Sequence, residues 1–381
     1  MSKLKVMTVF GTRPEAIKMA PLVLELQKAP EIESVVCVTA QHRQMLDMVM
    51  DMFQITADYD LNIMKERQTL AGITTLALGG IYDVVADCEP DVVLVHGDTT
   101  TTLAGSLASF YNQVKVGHVE AGLRTYDKYS PFPEEMNRKL TGAIADFHFA
   151  PTVKNRENLR REGIMDGIYV TGNTVIDAIH YTAKDQYVFR NELLNQIDFA
   201  GSQIILVTAH RRENLGKPLE QICSALRRIV EDNANAQIVY PVHLNPAVRD
   251  TVFQMLGGHD RIHLIDPLDV DELHNLMKRC YMVMTDSGGL QEEAPSLGKP
   301  VLVLRTETER PEAVAAGTVK LAGVEQEAIY QMACELLRDD AAYQKMSKAV
   351  NPYGDGQASR RIVQALLYEF GKRDTRPDEL A

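Results

Sequence analysis

The sequence contains no tryptophan, and its five cysteines are scattered along 381 residues without a C-x-x-C pair. A zinc ribbon or a dithiol redox site needs such a pair, so neither is expected. Scattered cysteines are typical of buried free thiols in a reducing compartment. No strand-like segment is followed by G-x-G-x-x-G, and that absence argues against a dinucleotide cofactor.

Positive charge is also in short supply, because 40 Lys and Arg residues face 52 Asp and Glu residues and the net charge is −12. A nucleic-acid partner is therefore not expected. No apolar run approaches the roughly 18 residues that a membrane-spanning helix needs. The first ten residues, MSKLKVMTVF, have the pattern of a strand rather than a signal peptide. These observations predict a cytoplasmic protein without membrane attachment.

What the sequence does contain is a regular alternation of short apolar runs and amphipathic segments. The runs are apolar throughout, as in parallel strands that are covered on both faces. At 381 residues the chain is long enough for two cores. The pattern predicts an α/β fold with two doubly wound, Rossmann-like domains that face a cleft. The predicted strands are Lys5–Phe10, Val35–Thr39, Val92–His96, Val114–Val119, Phe147–Ala150, Ile168–Thr171, Ile204–Thr208, Gln237–Tyr240, Ile262–Ile265, Tyr281–Thr285 and Val301–Leu304.

The strand pattern stops between Asn173 and Gly201, and this interval marks the predicted boundary between the domains. Its polar segment Ala183–Ala200 predicts a helix-rich link. Near the C-terminus, Ala358–Phe370 places apolar residues on one face of a predicted helix.

The segment from Tyr281 to Glu312 contains the most informative local pattern. An apolar strand leads into the elbow Thr285–Gly289, a helix-like stretch follows, and Pro295–Pro300 is a predicted turn before the next strand. A helix that starts at glycines presents free amide groups to a ligand, which is how proteins hold phosphate. Arg310 can add a forked donor. The alternative is an ordinary strand–turn–helix unit.

Carboxylates follow predicted strands of the first half, where an open α/β sheet binds its ligands. Asp98 and Glu120 come directly after strands, and Glu134 and Glu135 follow a proline-containing loop. Such residues can transfer protons or bind sugar hydroxyls. The alternative is structural, since an aspartate can cap a helix and acidic residues in a first turn stabilise its dipole.

Cationic residues and histidines also follow predicted strands. Arg13 and Lys18 follow the first strand, where they can meet a phosphate or stay solvated, and His210 ends a later strand with Arg211 after it. His243 occupies a similar but weaker position. Histidines and carboxylates can bind a metal, but their spacing is not that of a zinc site, so no metal is expected. The whole set favours a nucleoside diphosphate sugar as ligand.

Seven segments carry a more specific combined pattern. They are Phe10–Lys18, Val95–Thr102, Gly117–Arg124, Thr285–Pro295, Gly298–Pro300, Thr308–Glu312 and Asn351–Gly356. In combination they resemble the bacterial non-hydrolysing UDP-N-acetylglucosamine 2-epimerases, over essentially the whole chain. The resemblance implies a glycosyltransferase B-type fold whose C-terminal helix returns to the first domain. The implied domains are 1–172 with 358–381, and 173–357.

The resemblance implies reversible epimerisation at C2 of UDP-N-acetylglucosamine to UDP-N-acetylmannosamine, a precursor of cell-surface polysaccharide. The implied route is anti elimination of UDP to 2-acetamidoglucal followed by re-addition, without a cofactor. The implied catalytic residues are Asp98, Glu120, Glu134 and His210. The carboxylates would act at C2 and His210 at the diphosphate, and which carboxylate removes the proton stays open. The implied nucleotide-binding residues are Arg13, Lys18, Ser287, Gly288, Gly289, Glu293 and Arg310.

The resemblance further implies a homodimer and a second molecule of UDP-N-acetylglucosamine that acts as activator. The residues that match this second site are Gln41, His42, Gln44, Arg67, Glu134, Arg211 and His243. Gln41–Gln44 equally suits a capped helix start. The run Leu268–Leu273 departs from relatives with polar and aromatic residues around uracil, which predicts that backbone groups and aliphatic packing hold the base.

Four other functions are compatible with parts of the pattern. They are a retaining glycosyltransferase, an epimerase of a 2,3-diacetamido uronic acid nucleotide, a sugar-nucleotide-binding regulator, and a hydrolysing epimerase. A regulator would not need Asp98, Glu120 and Glu134 together, and nothing marks an acceptor site for a transferase. A hydrolysing epimerase is expected to carry an added kinase domain or an altered site.

Overall fold

The computed structural model describes residues 2–41, 43–65 and 68–380, whose strands form two separate parallel sheets. The chain divides into two units. The first comprises the residues up to Tyr181 together with those from Tyr353 onward, and the second comprises Thr182–Pro352. The predicted α/β class with two doubly wound sheets is confirmed.

The first unit contains a seven-stranded sheet in the order β3-β2-β1-β4-β5-β6-β7. Its strands are β1 Leu4–Phe10, β2 Ile32–Val38, β3 Tyr59–Asp60, β4 Val92–His96, β5 Lys115–Val119, β6 Phe147–Ala150 and β7 Ile168–Val170. Its helices before the break are α1 Arg13–Lys28, α2 Arg43–Phe53, α3 Leu70–Cys88, α4 Thr100–Tyr111, α5 Glu134–Ile144, α6 Val153–Arg161 and α7 Thr174–Thr182.

The second unit contains a six-stranded sheet in the order β10-β9-β8-β11-β12-β13. Its strands are β8 Gln203–Thr208, β9 Ala236–Pro241, β10 Ile262–Ile265, β11 Met282–Thr285, β12 Val301–Val303 and β13 Val319–Leu321. The remaining helices are α8 Glu192–Gln196, α9 Lys217–Asp232, α10 Pro246–Leu256, α11 Val270–Arg279, α12 Gly288–Ser296, α13 Pro311–Ala316, α14 Gln326–Arg338, α15 Asp340–Ser347 and α16 Ala358–Glu369. A single 3₁₀ turn, Arg212–Asn214, follows β8.

The central strands are buried on both faces, which is why their sequences are apolar throughout. Every residue of Val92–Val95 in β4 and of Ile204–Val207 in β8 has no solvent exposure. The apolar clusters around the first sheet lie in the first unit, and the cluster around the second sheet lies in the second unit. Each unit therefore has apolar packing of its own.

In both sheets the strand order reverses at one place, between β1 and β4 and between β8 and β11. Successive connections leave on opposite sides at such a point, which opens a crevice beyond the carboxyl ends of the two strands. The loops after these four strands are therefore the places to look for a ligand site in each unit.

The chain returns to the first unit near its C-terminus. The Tyr353 carbonyl accepts a hydrogen bond of 2.7 Å from the Asn173 amide. Asp177 in α7 accepts from the amides of Ala358 and Ser359, at 3.1 and 2.7 Å, at the start of α16. These contacts hold α7 within the first unit, whereas the boundary predicted after residue 172 places it in the second.

Three local expectations differ from the structure. In the link Ala183–Ala200 only the five residues of α8 are helical, so the expectation of a helix-rich link is wrong. The strands β3 and β13 were not predicted. Pro295 belongs to α12 rather than to a turn, and the turn begins after Ser296.

Helix α3 is the one helix in the described part of the chain that is long and apolar enough to cross a membrane, with a hydropathy of 1.3. This differs from the prediction that no run approaches that length. One face of α3, which includes Ile73, Ala77 and Ile81, is buried in the core of the first unit. A mostly buried core helix passes the same test, and 28% of the apolar window of α3 is buried.

Candidate active site

Glu120 is the centre of the first unit's polar cluster. It follows β5 directly and has a backbone φ of +63°, a strained conformation for a residue with a side chain. Its Oε2 atom forms an ion pair with Lys18 of α1. The same oxygen accepts a hydrogen bond of 2.8 Å from the Asn173 side chain. The structure thus brings Lys18 to a carboxylate, and its contact with a phosphate stays a prediction.

A buried histidine lies behind this carboxylate. His96, the last residue of β4, places Nε2 at 3.8 Å from Oε2 of Glu120. Burial lowers the pKa of His96 to about 4, although the nearby Glu120 charge acts in the opposite direction. His96 is therefore neutral near pH 7, and Lys18 provides the positive charge beside Glu120.

Asp98 lies in the loop after β4 and binds Arg138 of α5. The Arg138 Nη2 atom lies 2.6 Å from the Asp98 carboxylate, and Nε donates to it at 2.9 Å. The structural alternative for Asp98 was that it caps α4. Thr99 performs that task instead, since its hydroxyl accepts from the Thr102 amide at 3.1 Å.

Glu134 and Glu135 begin α5 but have different environments. Glu135 accepts from the amides of Thr125 and Tyr126, both at 3.0 Å, and pairs with Arg138 at 3.2 Å. Burial acts to raise the pKa of Glu135, but these amide and guanidinium contacts lower it overall. Glu134, in contrast, has a buried Oε2 atom without a hydrogen-bond partner in the described structure. Glu135 therefore stabilises the loop, and Glu134 is the one whose oxygen can receive a ligand.

Glu15 connects the two loops at the reversal point of the first sheet. Its carboxylate accepts from the amides of Gly11 and Thr12, at 3.1 and 2.8 Å, and from the Thr99 hydroxyl at 2.6 Å. Burial raises the pKa of Glu15. Arg13 is the first residue of α1, and its side chain is half-buried.

Position 11 needs a glycine because there is no room for a side chain, and not because of its backbone φ angle. A Cβ atom at this position would lie 1.8 Å from the Thr39 hydroxyl oxygen. The β1–α1 loop therefore packs tightly against the end of β2.

In the second unit, His210 and Asp286 follow the two strands at the reversal point, β8 and β11. Asp286 has no solvent exposure, and its Oδ2 atom accepts from the amides of His210 and Arg211, at 2.7 and 2.8 Å. Asn214 donates to the same oxygen at 2.9 Å. The Nδ1 atom of His210 lies 3.6 Å from the other oxygen, Oδ1.

The imidazole of His210 stacks on that of His243, with ring centroids 5.1 Å apart and planes 9° from parallel. Burial lowers the pKa of His210, the Asp286 charge raises it, and His243 and Arg211 lower it further. The net direction is downward. Asp286 is therefore the group in this set that favours the protonated imidazole.

The start of α12 has chemical features that favour the binding of an anion. The amides of its first turn point away from the helix, and the positive end of the helix dipole lies there. A Cβ atom added at Gly288 would lie 3.9 Å from the Arg310 guanidinium and 4.0 Å from that of Arg211. Two guanidinium groups thus border the helix start that Ser287, Gly288 and Gly289 form.

Acidic residues of α12 fix the surroundings of this helix start. Glu292 forms an ion pair with Arg310, and both side chains are largely buried. Glu293 lies 3.2 Å from the Nε2 atom of His274, whose Nδ1 atom is hydrogen-bonded to the Thr182 hydroxyl at 2.6 Å. The pair with Glu292 orients Arg310 at the start of α12.

The residues predicted for a second ligand site are divided between the units. Gln41 has a buried Oε1 atom without a partner in the described structure, and Gln44 is exposed on α2. Arg211 and His243 belong to the second unit. His42 and Arg67 lie outside the described residues.

Three residues of the site received no role from the sequence. Asn173, Arg138 and Asp286 hold Glu120, Asp98 and His210 in place. Asp286 and Asn173 lie just beyond strand ends, so the strand-end rule could have found them. Arg138 lies within a helix, and no spacing in the sequence connects it to Asp98. Among the residues that the structure describes, no three His, Cys, Asp or Glu side chains form a group suited to a metal.

The chain matches the family model described as UDP-N-acetylglucosamine 2-epimerase over residues 24–367. The UDP-N-acetylglucosamine 2-epimerase of Bacillus subtilis is 62% identical over 379 residues, which are 99% of each chain. The Escherichia coli protein of that name is 56% identical over 370 residues, which cover 95% of this chain and 98% of that protein.

Solved structures agree with these sequence matches. The UDP-GlcNAc 2-epimerase from Neisseria meningitidis, bound to UDP-GlcNAc, superposes with a TM-score of 0.83 at 51% identity, over 96% of this chain and all of that one. The enzyme from Methanocaldococcus jannaschii gives a TM-score of 0.84 at 34% identity over the same shares.

Proposed function

Since the chain belongs to the UDP-N-acetylglucosamine 2-epimerase family, we propose that it reversibly converts UDP-N-acetylglucosamine to UDP-N-acetylmannosamine. The supporting observation is chemical: the first unit places the carboxylates of Asp98 and Glu120 beyond the ends of β4 and β5, and the second unit has two guanidinium groups at the start of α12. Epimerisation by elimination needs both, because one group must move the C2 proton while others receive a diphosphate leaving group.

The start of α12 supports binding of the UDP diphosphate. Amide groups of a helix start attract phosphate oxygens, and Arg211 and Arg310 supply forked cationic donors beside them. His210 would donate a proton or a hydrogen bond to the diphosphate as its negative charge develops. The pair with Glu292 keeps the Arg310 fork in one orientation, so little reorganisation is needed when the ligand binds.

The carboxylates of the first unit support proton transfer at C2. A base removes the C2 proton, the C1–C2 double bond forms, and the C1–O bond breaks with its electron pair leaving on UDP. The products are 2-acetamidoglucal and UDP, and re-addition delivers a proton to the opposite face of C2. Asp98, Glu120 and Glu134 are proposed to share these proton transfers and to stabilise the charge that develops on the sugar. No net oxidation occurs, so the route needs no redox cofactor.

We also propose that a second UDP-N-acetylglucosamine activates the enzyme. The buried, unpartnered Oε1 atom of Gln41 supports a ligand contact at this position. Rates with UDP-N-acetylmannosamine should then rise sigmoidally and become hyperbolic with a trace of UDP-N-acetylglucosamine. Hyperbolic rates without the trace would contradict the proposal.

A homodimer is proposed through the first unit. Phe110 and Tyr111 at the end of α4 are 59% and 57% exposed, and only 28% of the apolar window in α3 is buried. A second copy could cover these apolar surfaces. A monomer mass in light scattering at micromolar concentration would contradict this arrangement.

We further propose that the enzyme is cytoplasmic and supplies a cell-surface polysaccharide precursor.

The direct test is incubation of the purified protein with UDP-N-acetylglucosamine in deuterium oxide, followed by NMR. We expect UDP-N-acetylmannosamine with deuterium at C2 and traces of 2-acetamidoglucal and UDP. Free N-acetylmannosamine would instead indicate a hydrolysing enzyme. No turnover would indicate a different substrate or a regulator.

Variants connect this activity to the site. Asp98→Asn and Glu120→Gln keep the side-chain shape but remove the basic carboxylate, and each should lower kcat by about a hundredfold or more. Asp198→Asn is the matched control, because Asp198 only accepts from the amides of Ala200 and Gly201 in an exposed turn. Full activity in both site variants would refute the assignment of these carboxylates.

A further inference from the structure

Asp286 is held in one position by the main chain of the loop that carries His210. Its Oδ2 atom accepts three hydrogen bonds, from the amides of His210 and Arg211 and from the Asn214 side chain. The Asn214 side chain also donates to the Leu304 carbonyl at 3.1 Å. The carboxylate therefore cannot rotate without disrupting the turn after β8.

The second oxygen of Asp286, Oδ1, has a different environment. It is buried and has no hydrogen-bond partner in the described structure. A buried carboxylate oxygen without a donor is costly, and such groups in proteins usually have a functional explanation. The Nδ1 atom of His210 lies 3.6 Å away, slightly beyond hydrogen-bond distance. A small rotation of the imidazole would close this gap.

The imidazole of His210 is otherwise guided by its stacking on His243, in which the two planes are 9° from parallel. Stacking fixes the plane of the ring but not which nitrogen carries the proton. The ring is also 39% exposed at the reversal point of the sheet. With Nδ1 directed at the buried carboxylate, Nε2 is the nitrogen left for a ligand.

We propose that Asp286 is a positioning residue that acts through His210, which it orients and keeps in the Nδ1–H form. The proposal rests on the proposed function of His210 at the diphosphate. Nδ1–H donates to Oδ1, so the neutral ring presents a lone pair at Nε2. The protonated ring presents Nε2–H to a phosphate oxygen, and the carboxylate behind it stabilises the positive charge. A buried carboxylate has this effect on the catalytic histidine of serine proteases.

The charges around His210 explain why such a residue is needed. Burial, His243 and Arg211 all favour the neutral imidazole, and Asp286 is the group that favours the cation. Without Asp286, none of these protein groups would favour the imidazolium as the diphosphate leaves. With it, the Nε2 proton can pass to the leaving UDP as the C1–O bond breaks, and it returns to Nε2 on re-addition.

NMR of histidine-labelled wild-type protein without substrate tests directly whether His210 is in the Nδ1–H form. Nitrogen and carbon shifts distinguish the two neutral tautomers, and the His210 signals are those that disappear in His210→Gln. We expect the Nδ1–H tautomer at high pH. A predominant Nε2–H tautomer would overturn the proposal, whatever the enzyme's activity.

Asp286→Asn tests whether Asp286 favours the protonated form of His210 and supports turnover. The amide oxygen can still accept from the His210 and Arg211 amides, but its NH₂ group would face Nδ1 and favour the opposite tautomer. We expect the His210 titration to move to lower pH and kcat to fall at least about tenfold, with a smaller change in KM. Asp198→Asn is the matched control and should leave the His210 signals and kcat unchanged.

A double-mutant cycle shows whether Asp286 acts through His210. In the His210→Gln background, Asp286→Asn should cost less than twofold in kcat, because the group that it positions is gone. Equal losses in both backgrounds would overturn the proposal. If Asp286→Asn does not fold, the tautomer of His210 in the wild type still tests whether Asp286 orients the ring. If the wild type shows no epimerisation, the proposed function fails while the tautomer measurement still tests the Asp286–His210 contact.

Discussion

At the residue scale, Glu120 shows how neighbouring side chains hold one carboxylate at the end of a strand. Its Oε2 atom interacts with Lys18, with the side-chain amide of Asn173 and more distantly with His96. Charge-assisted hydrogen bonds stabilise the ionised carboxylate and restrict its rotation. The strained φ of Glu120 is maintained by this surrounding structure.

Asn173→Asp would place a second carboxylate where a donor now lies 2.8 Å from Glu120. Repulsion should favour protonation of Glu120, so the acid limb of the kcat/KM profile should move to higher pH. Loss of a hydrogen bond to a charged group predicts a decrease in kcat/KM of about tenfold to a hundredfold. Asn235→Asp, at an exposed position of the second unit, is the control. An unchanged pH profile in Asn173→Asp would contradict this role.

Sequence reasoning identified the polar residues at strand ends but not what holds them. The sequence indicates Glu120 and His210 because each follows an apolar strand, and the structure places Glu120 after β5 and His210 after β8. Their partners Asn173 and Asp286 lie 53 and 76 positions away. A single sequence contains no signal for such pairs, because they depend on which strands become neighbours.

At the element scale, α12 offers the start of a helix to an anion, and Gly288 keeps that start open. The nearest atoms to an added Cβ would be the guanidinium groups of Arg310 and Arg211, at 3.9 and 4.0 Å. These are ordinary van der Waals distances. The glycine is therefore not required by the packing of the protein itself.

Gly288→Ala should consequently fold normally but bind UDP weakly. The methyl group would occupy space above the first amides of α12, where the diphosphate is proposed to lie. We expect Kd for UDP to rise about tenfold or more, which corresponds to roughly 1.4 kcal/mol. Calorimetric titration with UDP measures the affinity, and a thermal melt checks that Tm is unchanged or higher. Wild-type affinity in a folded variant would exclude the start of α12 as the phosphate site.

Element prediction succeeded where burial determines the sequence. Strands such as β4 and β8 are covered on both faces, so their composition alone identifies them. β13 is only three residues long and includes the partly exposed Lys320, and β3 has two residues. The link Ala183–Ala200 owes its order to distant contacts, such as Arg190 with Asp271 at 2.9 Å. Those contacts leave no periodic pattern.

At the scale of the whole molecule, three buried histidines lie on neighbouring strands of the first sheet. His96, His118 and His148 belong to β4, β5 and β6, and His118 pairs in register with His148. Burial lowers the pKa of His96 and His148 to about 4 and that of His118 to about 3. All three are therefore neutral in the folded protein at pH 7.

These histidines predict acid sensitivity of the first unit. In the unfolded chain they titrate near pH 6.5, so between about pH 6.5 and 4 the unfolded state binds more protons than the folded state. Stability should be fully present above pH 6.5 and decrease as the pH falls through this window. Circular dichroism melts from pH 7 to pH 4 measure it. His148→Asn should flatten the dependence relative to the wild type, and an unchanged slope would contradict the assignment.

The return of the chain to the first unit has a consequence for synthesis on the ribosome. The second unit, Thr182–Pro352, is complete in sequence before α16 has been translated, whereas the first unit needs α16 against α1 and α7. The nascent N-terminal half therefore emerges with part of its apolar surface uncovered, and it keeps that surface until α16 leaves the exit tunnel. Exposed surface of this kind is what chaperones bind. The domain that is made first is thus the one that must finish folding last.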